Sequence, residues 1–462
     1  MTFDKSDGTP KRVAVIGGGP SGIVVVKAFL AEGGYEVQGF EAKSGPGGIW
    51  IQDPTGGHVD VPSLDPFAES PFSPIYPDLE TNVNRDSFGY NDFAPPKDWP
   101  LFQSANDFLT YVQDYAKDVN QYFKYSTNVT EVRKVNNQWE VHYKPNGSTE
   151  EVSELFDFVT VSTGSYSVPH LPDIPGLREW HTKFPGSIIH SKQYRGPSPY
   201  AGKSVLVLGG AVSSLDMNVL VAPAAEKYYW SVQNPVFRER LKNFPIRPNT
   251  TIVPTVERFD TETQSVIFED GQSIKVDAVI FATGYLRSYP VLKQINSSKH
   301  PVITDGSRAR NLYQHLLYNA DPTLAVIGVP LFLYPLPMAE FQSVYLAALW
   351  AGRIPLESYE EMVQWEKERV EAKGDGRHFH YLRDADDNAP YKAFFKSKIA
   401  NASPPNPNTL ELRPATDMDF KITMHTPFLK LAFLKHRAVT GRPPMTIQEM
   451  IDAGNFKWME PQ

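Results

Sequence analysis

The chain opens the same way twice, and this constrains its fold more than any other feature. Val13 to Ile16 is a short, apolar, largely β-branched run that ends in Gly17-Gly18-Gly19; roughly 190 residues later Ser204 to Leu208, SVLVL, ends in Gly209-Gly210. A buried strand running into glycines and then into a helix-compatible stretch is the opening of a βαβ unit with a parallel sheet. In the first copy Ile23, Val26, Phe29 and Leu30 recur at helical spacing, Gly33-Gly34 supplies the stop, and Tyr35 to Glu41 reads as the second strand. In the second copy the helix begins at Val212 and the partner strand is Tyr228 to Gln233. Each copy leads to a further buried strand ending in Thr-Gly, VTVSTG at Val159 to Gly164 and AVIFATGY at Ala278 to Tyr285. We expect an α/β fold with two Rossmann-like dinucleotide-binding domains, one inserted into the other.

The composition narrows the chemistry. With 45 Lys plus Arg against 53 Asp plus Glu the net charge is −8, which disfavours nucleic acid or an anionic membrane as partner. The chain has no cysteine, so disulfides, thiolate metal sites, iron–sulfur clusters and thiol nucleophiles are excluded, and redox chemistry must come from a bound cofactor. The first twelve residues are polar and read as a disordered tail with no secretory signal. The longest uncharged apolar stretch, Thr323 to Ala339, is broken by Pro330, Pro335 and Pro337, so we expect no membrane anchor and a cytoplasmic location. From Pro62 to Pro100 eight prolines are mixed with Tyr76, Phe88, Tyr90, Phe93 and Trp99. So many large apolar anchors indicate an ordered, irregular excursion that packs over something, where a linker would lack them.

Gly17, Gly19 and Gly22 make G-x-G-x-x-G at the first strand-to-helix turn, with Pro20 and Ser21 between the last two. Gly17 allows the turn, Gly19 lets backbone approach a pyrophosphate, and Gly22 lets helix and strand pack closely. Glu41 is placed to accept hydrogen bonds from a ribose. Next comes GPGGIW, Gly45 to Trp50, whose Gly48, Ile49 and Trp50 suit a backbone running beneath a planar ring with an apolar wall beside it; a glycine turn with a core tryptophan is the plain alternative. Thr81-Asn82 is locally an ordinary turn pair. At the second turn Ala211 and Ser214 replace the second and third glycines, Gly210 remains, and the hydroxyls of Ser213 and Ser214 can contact phosphate near a helix N-terminus. His190 lies on an apolar run, where a hydrogen-bonded structural histidine is the favoured reading over a proton shuttle. His378 and His380 flank Phe379 without a convincing third metal ligand, and no metal is expected.

These motifs, from about Val13 to Arg353, resemble those of the flavin-containing monooxygenases. Phe184, Gly186, His190 and Tyr194 match the family's identifying pattern F-x-G-x-x-x-H-x-x-x-Y/F. An acid followed by Gly-Gly-x-Trp is similar to the family's turn around FAD. The related Baeyer–Villiger enzymes usually end the identifying pattern in Trp followed by Pro or Asp, whereas here Tyr194 is followed by Arg195. The resemblance implies an FAD-binding domain made of residues 1–168 and 284–462, with an NADPH-binding domain, residues 169–283, inserted. It places Thr81 and Asn82 in the segment over the flavin, with Asn82 as the catalytic side chain near the reactive face and the nicotinamide. It assigns cofactor contacts to the Thr283-Gly284 strand end and to Gln342 in PMAEFQ, the turn into a helix pointing at the flavin's pyrimidine end. The family commonly has an arginine after the second domain's next strand for the 2′-phosphate; Gln233 stands there instead, so Arg238 or Arg240 would have to reach in.

As an expectation from the resemblance, NADPH reduces FAD, the reduced flavin takes up O2 as a C4a-hydroperoxide, and the distal oxygen passes to a soft nucleophile of a small molecule, an amine or indoline nitrogen or a sulfur. Gly-Gly-Ala and the Ser-Ser pair are similar to fungal members, which suits N-hydroxylation or nitrone formation in secondary metabolism. A Baeyer–Villiger enzyme acting on ketones is the alternative, followed by a non-catalytic flavin-binding protein with a decayed second site. A flavin disulfide reductase is excluded by the missing dithiol. Oligomeric state is open, homodimers being common for such folds. After a helix from Met338 to Gly352 and a charged helix near Glu357 to Ala372, the C-terminus reads as an irregular tail with Pro404, Pro405 and Pro407.

Overall fold

The first strand, Lys11–Ile16, lies inside a seven-stranded sheet, between Tyr35–Phe40 on one side and Phe158–Val161 on the other, both parallel to it. Phe123–Lys124 and Leu324–Val326 extend the parallel set outward, and Leu317–Tyr318 and Leu312–Tyr313 finish one edge antiparallel. The computed structural model describes residues 9–458 apart from 69, 242–246, 384 and 413–416; the tail at residues 1–8 lies outside the described residues. The second sheet has five strands, all parallel, in the order Thr250–Val253, Lys227–Ser231, Ser204–Leu208, Ala278–Phe281, Ile188–His190. In both sheets the opening strand lies beside the point where strand order reverses. The crevice at its C-terminal end is where such sheets bind nucleotides.

The duplication runs deeper than the two opening motifs. Gly17 N–H donates to Phe40 O at 2.8 Å and Ser162 N–H to Ile16 O at 2.8 Å; in the second sheet Gly209 N–H donates to Ser231 O and Ala282 N–H to Leu208 O in the same pattern. Asp157 accepts from the Arg12 amide at 2.8 Å and Asp277 from the Ser204 amide at 2.9 Å, so in each sheet an aspartate just before a neighbouring strand, Phe158–Val161 or Ala278–Phe281, ties it to the opening strand. Each also carries a three-stranded antiparallel ribbon just before that neighbouring strand. Thr127–Val135, Gln138–Pro145 and Val152–Phe156 form one; Val256–Asp260, Ser265–Phe268 and Ser273–Lys275 form the other.

The first helix, Pro20–Glu32, contains Val24-Val25-Val26, and β-branched residues each cost it a few tenths of a kcal/mol of intrinsic preference. Packing outweighs that. Ile23 to Val26 and Phe29 are fully buried, at roughly 1.5–3 kcal/mol per large apolar side chain. Their main partner is the long helix Pro335–Trp350, which is apolar on every side and buried throughout its last eight residues; Trp350 stands 5.5 Å from Phe29 and stacks on Phe158 at 4.5 Å.

The chain passes from the first sheet to the second and back along Val168–Pro169 and Tyr285–Leu286, which pair antiparallel. We propose the domain boundaries at this ribbon. The charged helix expected near Glu357 to Ala372 is found at Tyr359–Lys373, and the expectation beyond it is corrected: the helices Ala385–Ala400, Asp417–Thr440 and Ile447–Asp452 occupy most of what reads as an irregular tail. Pro390 sits inside one of them, and a proline there argues against a helix until packing overrides it; Phe395 of that helix is fully buried against Phe341 and Tyr345. No helix among the described residues is long and apolar enough to cross a membrane.

Candidate active site

At the first turn each glycine answers to a different constraint. Gly17 has φ +107, and a Cβ on it would stand 2.7 Å from Ser162 O; on Gly22 a Cβ would stand 1.8 Å from Gly17 O. Both are required by the protein itself. Gly19 differs, because a Cβ there would meet Gly48 Cα at 3.5 Å, an ordinary contact. Gly19 is also the N-cap of the first helix, with no capping side chain and Pro20 in the first turn, so the helix N-terminus is left without a protein side-chain cap. The Pro20 carbonyl accepts from Tyr90 Oη at 2.7 Å, and Ser21 stands half-buried beside Gly328.

Glu41 is buried after the second strand and accepts from Gly18 N–H at 2.6 Å and Lys43 N–H at 2.7 Å. Burial pushes its carboxyl up, and these amides hold it down. It thus shapes the turn as well as facing it. The second glycine turn docks on the first: Gly47 N–H donates to Gly18 O at 3.0 Å, Gly48 has φ +55, and the single helical turn Gly48–Trp50 follows. Trp50 leans on Phe108 at 4.2 Å, and Ile49 O accepts from Ser73 Oγ, which fastens the proline-rich excursion to this turn.

Asn82 lies within that excursion. Thr81 is occupied structurally: its amide donates to Gln103 O, its hydroxyl bonds Gln103, and its carbonyl accepts from Lys430 Nζ at 3.1 Å. The Asn82 side chain stands beside the Asp216 carboxyl and helps to stabilise its charge, while its Oδ1 is buried with no protein partner. Asp216 is itself buried and accepts from Tyr76 Oη at 2.7 Å. It belongs to Val212–Val221, the helix that starts at the second turn.

At that turn Gly209 has φ +145, and a Cβ on it would stand 2.3 Å from Ala282 O, repeating the constraint on Gly17. Gly210 and Ala211 are exposed, and Ala211 is an N-cap without a capping side chain. The two serines separate. Ser213 is half-buried at the helix start, whereas Ser214 is fully buried and donates to Ala211 O at 2.7 Å, so its hydroxyl closes the turn. Gln233 is exposed and Arg238 half-buried; the Arg240 side chain lies outside the described residues.

Phe184 to Tyr194 acts as a clamp. His190 is fully enclosed, with Nε2 on Gly284 O at 3.0 Å and Nδ1 accepting from Lys192 N–H; desolvation pushes it down to about 3, so it stays neutral. Lys192 Nζ reaches Ser70 O, Ser70 Oγ and Ser167 O, with no carboxylate of the described residues in ion-pair contact with it, and desolvation brings it down to about 7. Arg195 donates to Asp53 O, Thr55 O, Lys192 O and Tyr194 O. Thr283 and Gly284 lie inside this clamp: the threonine hydroxyl donates to His170 O, and Gly284 O accepts from both His170 N–H and His190. Gln342 is fully buried, its Oε1 accepting from Gly328 N–H and its Nε2 donating to Tyr391 Oη. Its amide is bonded at both ends within the protein, so it positions the Gly328 loop beside Ser21. His378 packs on Tyr381 while His380 turns inward to His315, so the two diverge, and no group of metal-ligating side chains is formed among the described residues.

The flavin-binding monooxygenase-like family model matches residues 10–237 and 227–391. The chain belongs to the flavin-containing monooxygenase family. This monooxygenase is similar to the flavin-containing monooxygenase ustF2 of Aspergillus flavus, 29% identical over 445 residues that cover 82% of this chain and 90% of that protein. It is 31% identical to the flavin-containing monooxygenase FMO GS-OX3 of Arabidopsis thaliana, over 77% of each chain. Among solved structures the S-allyl-L-cysteine S-oxygenase of Allium sativum shares its fold, with a TM-score of 0.76 at 24% identity over 96% of this chain and 98% of that one. The protein is an NADPH-dependent flavin monooxygenase with FAD and NADPH as cofactors. Its residues fit them. Two uncapped helix N-termini lie at the C-terminal ends of the two central strands, and Gly19 leaves room that the protein itself does not demand. The family match also reaches past Arg353, and it sets aside the non-catalytic alternative.

Asp216, Tyr76 and Lys430 are parts of the site that sequence reasoning did not select. Asp216 carried one signal, as the sole acid in the otherwise uncharged helix VSSLDMNVLV.

Proposed function

We propose that this monooxygenase transfers oxygen to a soft nucleophile of a small molecule, an amine or indoline nitrogen or a sulfur, with N-hydroxylation or nitrone formation in secondary metabolism as its finer form. The observation that carries this reading is Asn82, whose side chain lies beside Asp216 and whose Oδ1 is enclosed without a protein partner. A buried, unpaired amide oxygen costs about 1–3 kcal/mol, and a ligand group that fills the space removes that cost. FAD, held by the Gly17–Gly22 turn, Glu41 and Gly48–Trp50, supplies the redox and oxygen chemistry when bound. The protein's residues hold and exclude. Trp50 and Phe108 wall the site, the uncapped first helix receives the diphosphate, and Ser213 with Arg238 serves the second dinucleotide. The Tyr194-Arg195 ending favours heteroatoms over ketones, as does the likeness to a protein described as an S-oxygenase.

The test is turnover of purified enzyme with NADPH, O2 and a panel of secondary amines, indolines, sulfides and cyclic ketones. One N- or S-oxide per NADPH is expected; an ester or lactone from the ketones would install the Baeyer–Villiger alternative. Asn82→Ala should leave NADPH-driven flavin reduction largely intact while the share of NADPH released as hydrogen peroxide rises several-fold.

A further inference from the structure

Asn82 is held by a device that spans three parts of the chain. Its amide meets Asp216 on the Val212–Val221 helix, and Tyr76, from its own excursion, donates to the second side of that aspartate at 2.7 Å. Lys430, its side chain only 2% exposed, comes from the Asp417–Thr440 helix and bonds Glu80 Oε2 and Thr81 O, both at 3.1 Å. Arg437, about two turns further on along the same face, pairs with the other oxygen of Glu80. The two residues before Asn82 are therefore fixed by the Asp417–Thr440 helix, and its side chain lies against the helix that begins at the second dinucleotide turn.

An ionised carboxylate is an acceptor only, so it takes the NH2 end of a neighbouring amide; a protonated one can donate and take the oxygen end. We propose that Asp216 is a positioning residue that selects which end of the Asn82 amide faces the open side of the site: the oxygen when Asp216 is ionised, the NH2 when it is protonated. This rests on the reading of Asn82 as the side chain beside the flavin. Burial pushes the Asp216 carboxyl up to about 6, against the Lys430 charge and the hydrogen bonds from Tyr76 and Asn82; Glu80 adds to the upward shift. The charged and titratable groups facing it are thus Tyr76, Glu80 and Lys430, with Arg437 behind Glu80 and Tyr194 5.8 Å from the Tyr76 ring. The choice between the two amide ends therefore falls near neutral pH, on a helix whose own N-terminus receives the dinucleotide.

The experiment measures the fraction of NADPH recovered as hydrogen peroxide from pH 5 to 8, with FAD-loaded enzyme and a reactive amine or sulfide. The unaltered enzyme should show an inflection near pH 6 that Asp216→Asn abolishes. Tyr76→Phe removes a donor to the carboxylate and should move the inflection to higher pH, which tests the idea even where Asp216→Asn loses flavin. If Asn82→Ala raises peroxide release while the inflection survives both other substitutions unmoved, the positioning role of Asp216 is overturned and the Asn82 reading stands. If Asn82→Ala leaves peroxide release unchanged at every pH, the Asn82 reading fails and the positioning role fails with it.

Discussion

Glu32 and Arg353 form a two-point ion pair, Nε to Oε1 at 2.6 Å and Nη2 to Oε2 at 2.7 Å, between the last turn of the first helix and the turn that follows Pro335–Trp350. Both side chains are nearly enclosed, at 4% and 9% exposure. Arg353 also donates to Pro404 O and Thr409 Oγ1, and Asn406 donates to Glu32 O, so the pair anchors residues 403–409 as well. Removing one member leaves a buried charge unpaired, at a cost of about 3–5 kcal/mol. Arg353→Met should therefore lower apparent unfolding free energy in urea by that amount, and adding Glu32→Leu should recover most of it.

Gly19 and Gly22 differ in what they serve, and apo-protein stability separates them. A Cβ at position 22 would collide with Gly17 O, so Gly22→Ala should yield little folded protein. Gly19→Ala meets no such obstacle, so its flavin-free form should melt within about 1 °C of unaltered apo-protein while binding FAD at least tenfold more weakly. A Gly19→Ala protein with normal flavin content would remove the diphosphate from this turn.

Acid should weaken the fold from near pH 6.5 downward. Desolvation drives His190 down to about 3 and lowers His170, His315 and His380 in the same direction. Each histidine stays neutral in the folded state but protonates in the unfolded chain, so its contribution is present above about pH 6.5 and lost as pH falls toward the folded value, at up to ~1.4 kcal/mol per pH unit per group. Asp216 and Glu41, raised by burial, act the opposite way and only partly offset this. His190→Gln should flatten the fall in melting temperature between pH 6.5 and 4.5.

Arg238 is half-buried on the Pro235–Leu241 helix, just past the strand that ends at Ser231. If it meets the 2′-phosphate, Arg238→Ala removes one charge-assisted contact of about 1.5–3 kcal/mol. The KM for NADPH should then rise tenfold or more while that for NADH changes less than twofold. An equal rise for both would shift this role to another basic residue.

The strands and turns of both nucleotide sites were legible because an apolar, β-branched run ending in glycines has few other readings, and Gly17 and Gly209 sit where positive φ is imposed by neighbouring backbone. The helix starting at Val212 was legible from local pattern as well. The roles of single polar groups were not. Ser214 and Gln342 look available in the sequence, yet burial engages one with Ala211 and the other with Gly328 and Tyr391, and only packing decides that. Asp216 meets Tyr76 across 140 positions and Glu80 meets Lys430 across 350, distances at which no local pattern speaks. The helices Ala385–Ala400 and Asp417–Thr440 were missed because Pro404, Pro405 and Pro407 between them read as an irregular tail, and each helix contains a proline of its own that propensity alone disfavours.

The ribbon of Val168–Pro169 and Tyr285–Leu286 has a consequence for how such a chain is assembled. Paired strands lie about 5 Å apart, so the entry and exit of the second sheet's domain meet at a single doorway. On the domain boundaries proposed at this ribbon, residues 170–284 make a cassette: a two-residue turn would close the host sheet's chain behind it, and the module is removable in principle without re-routing a strand of the host.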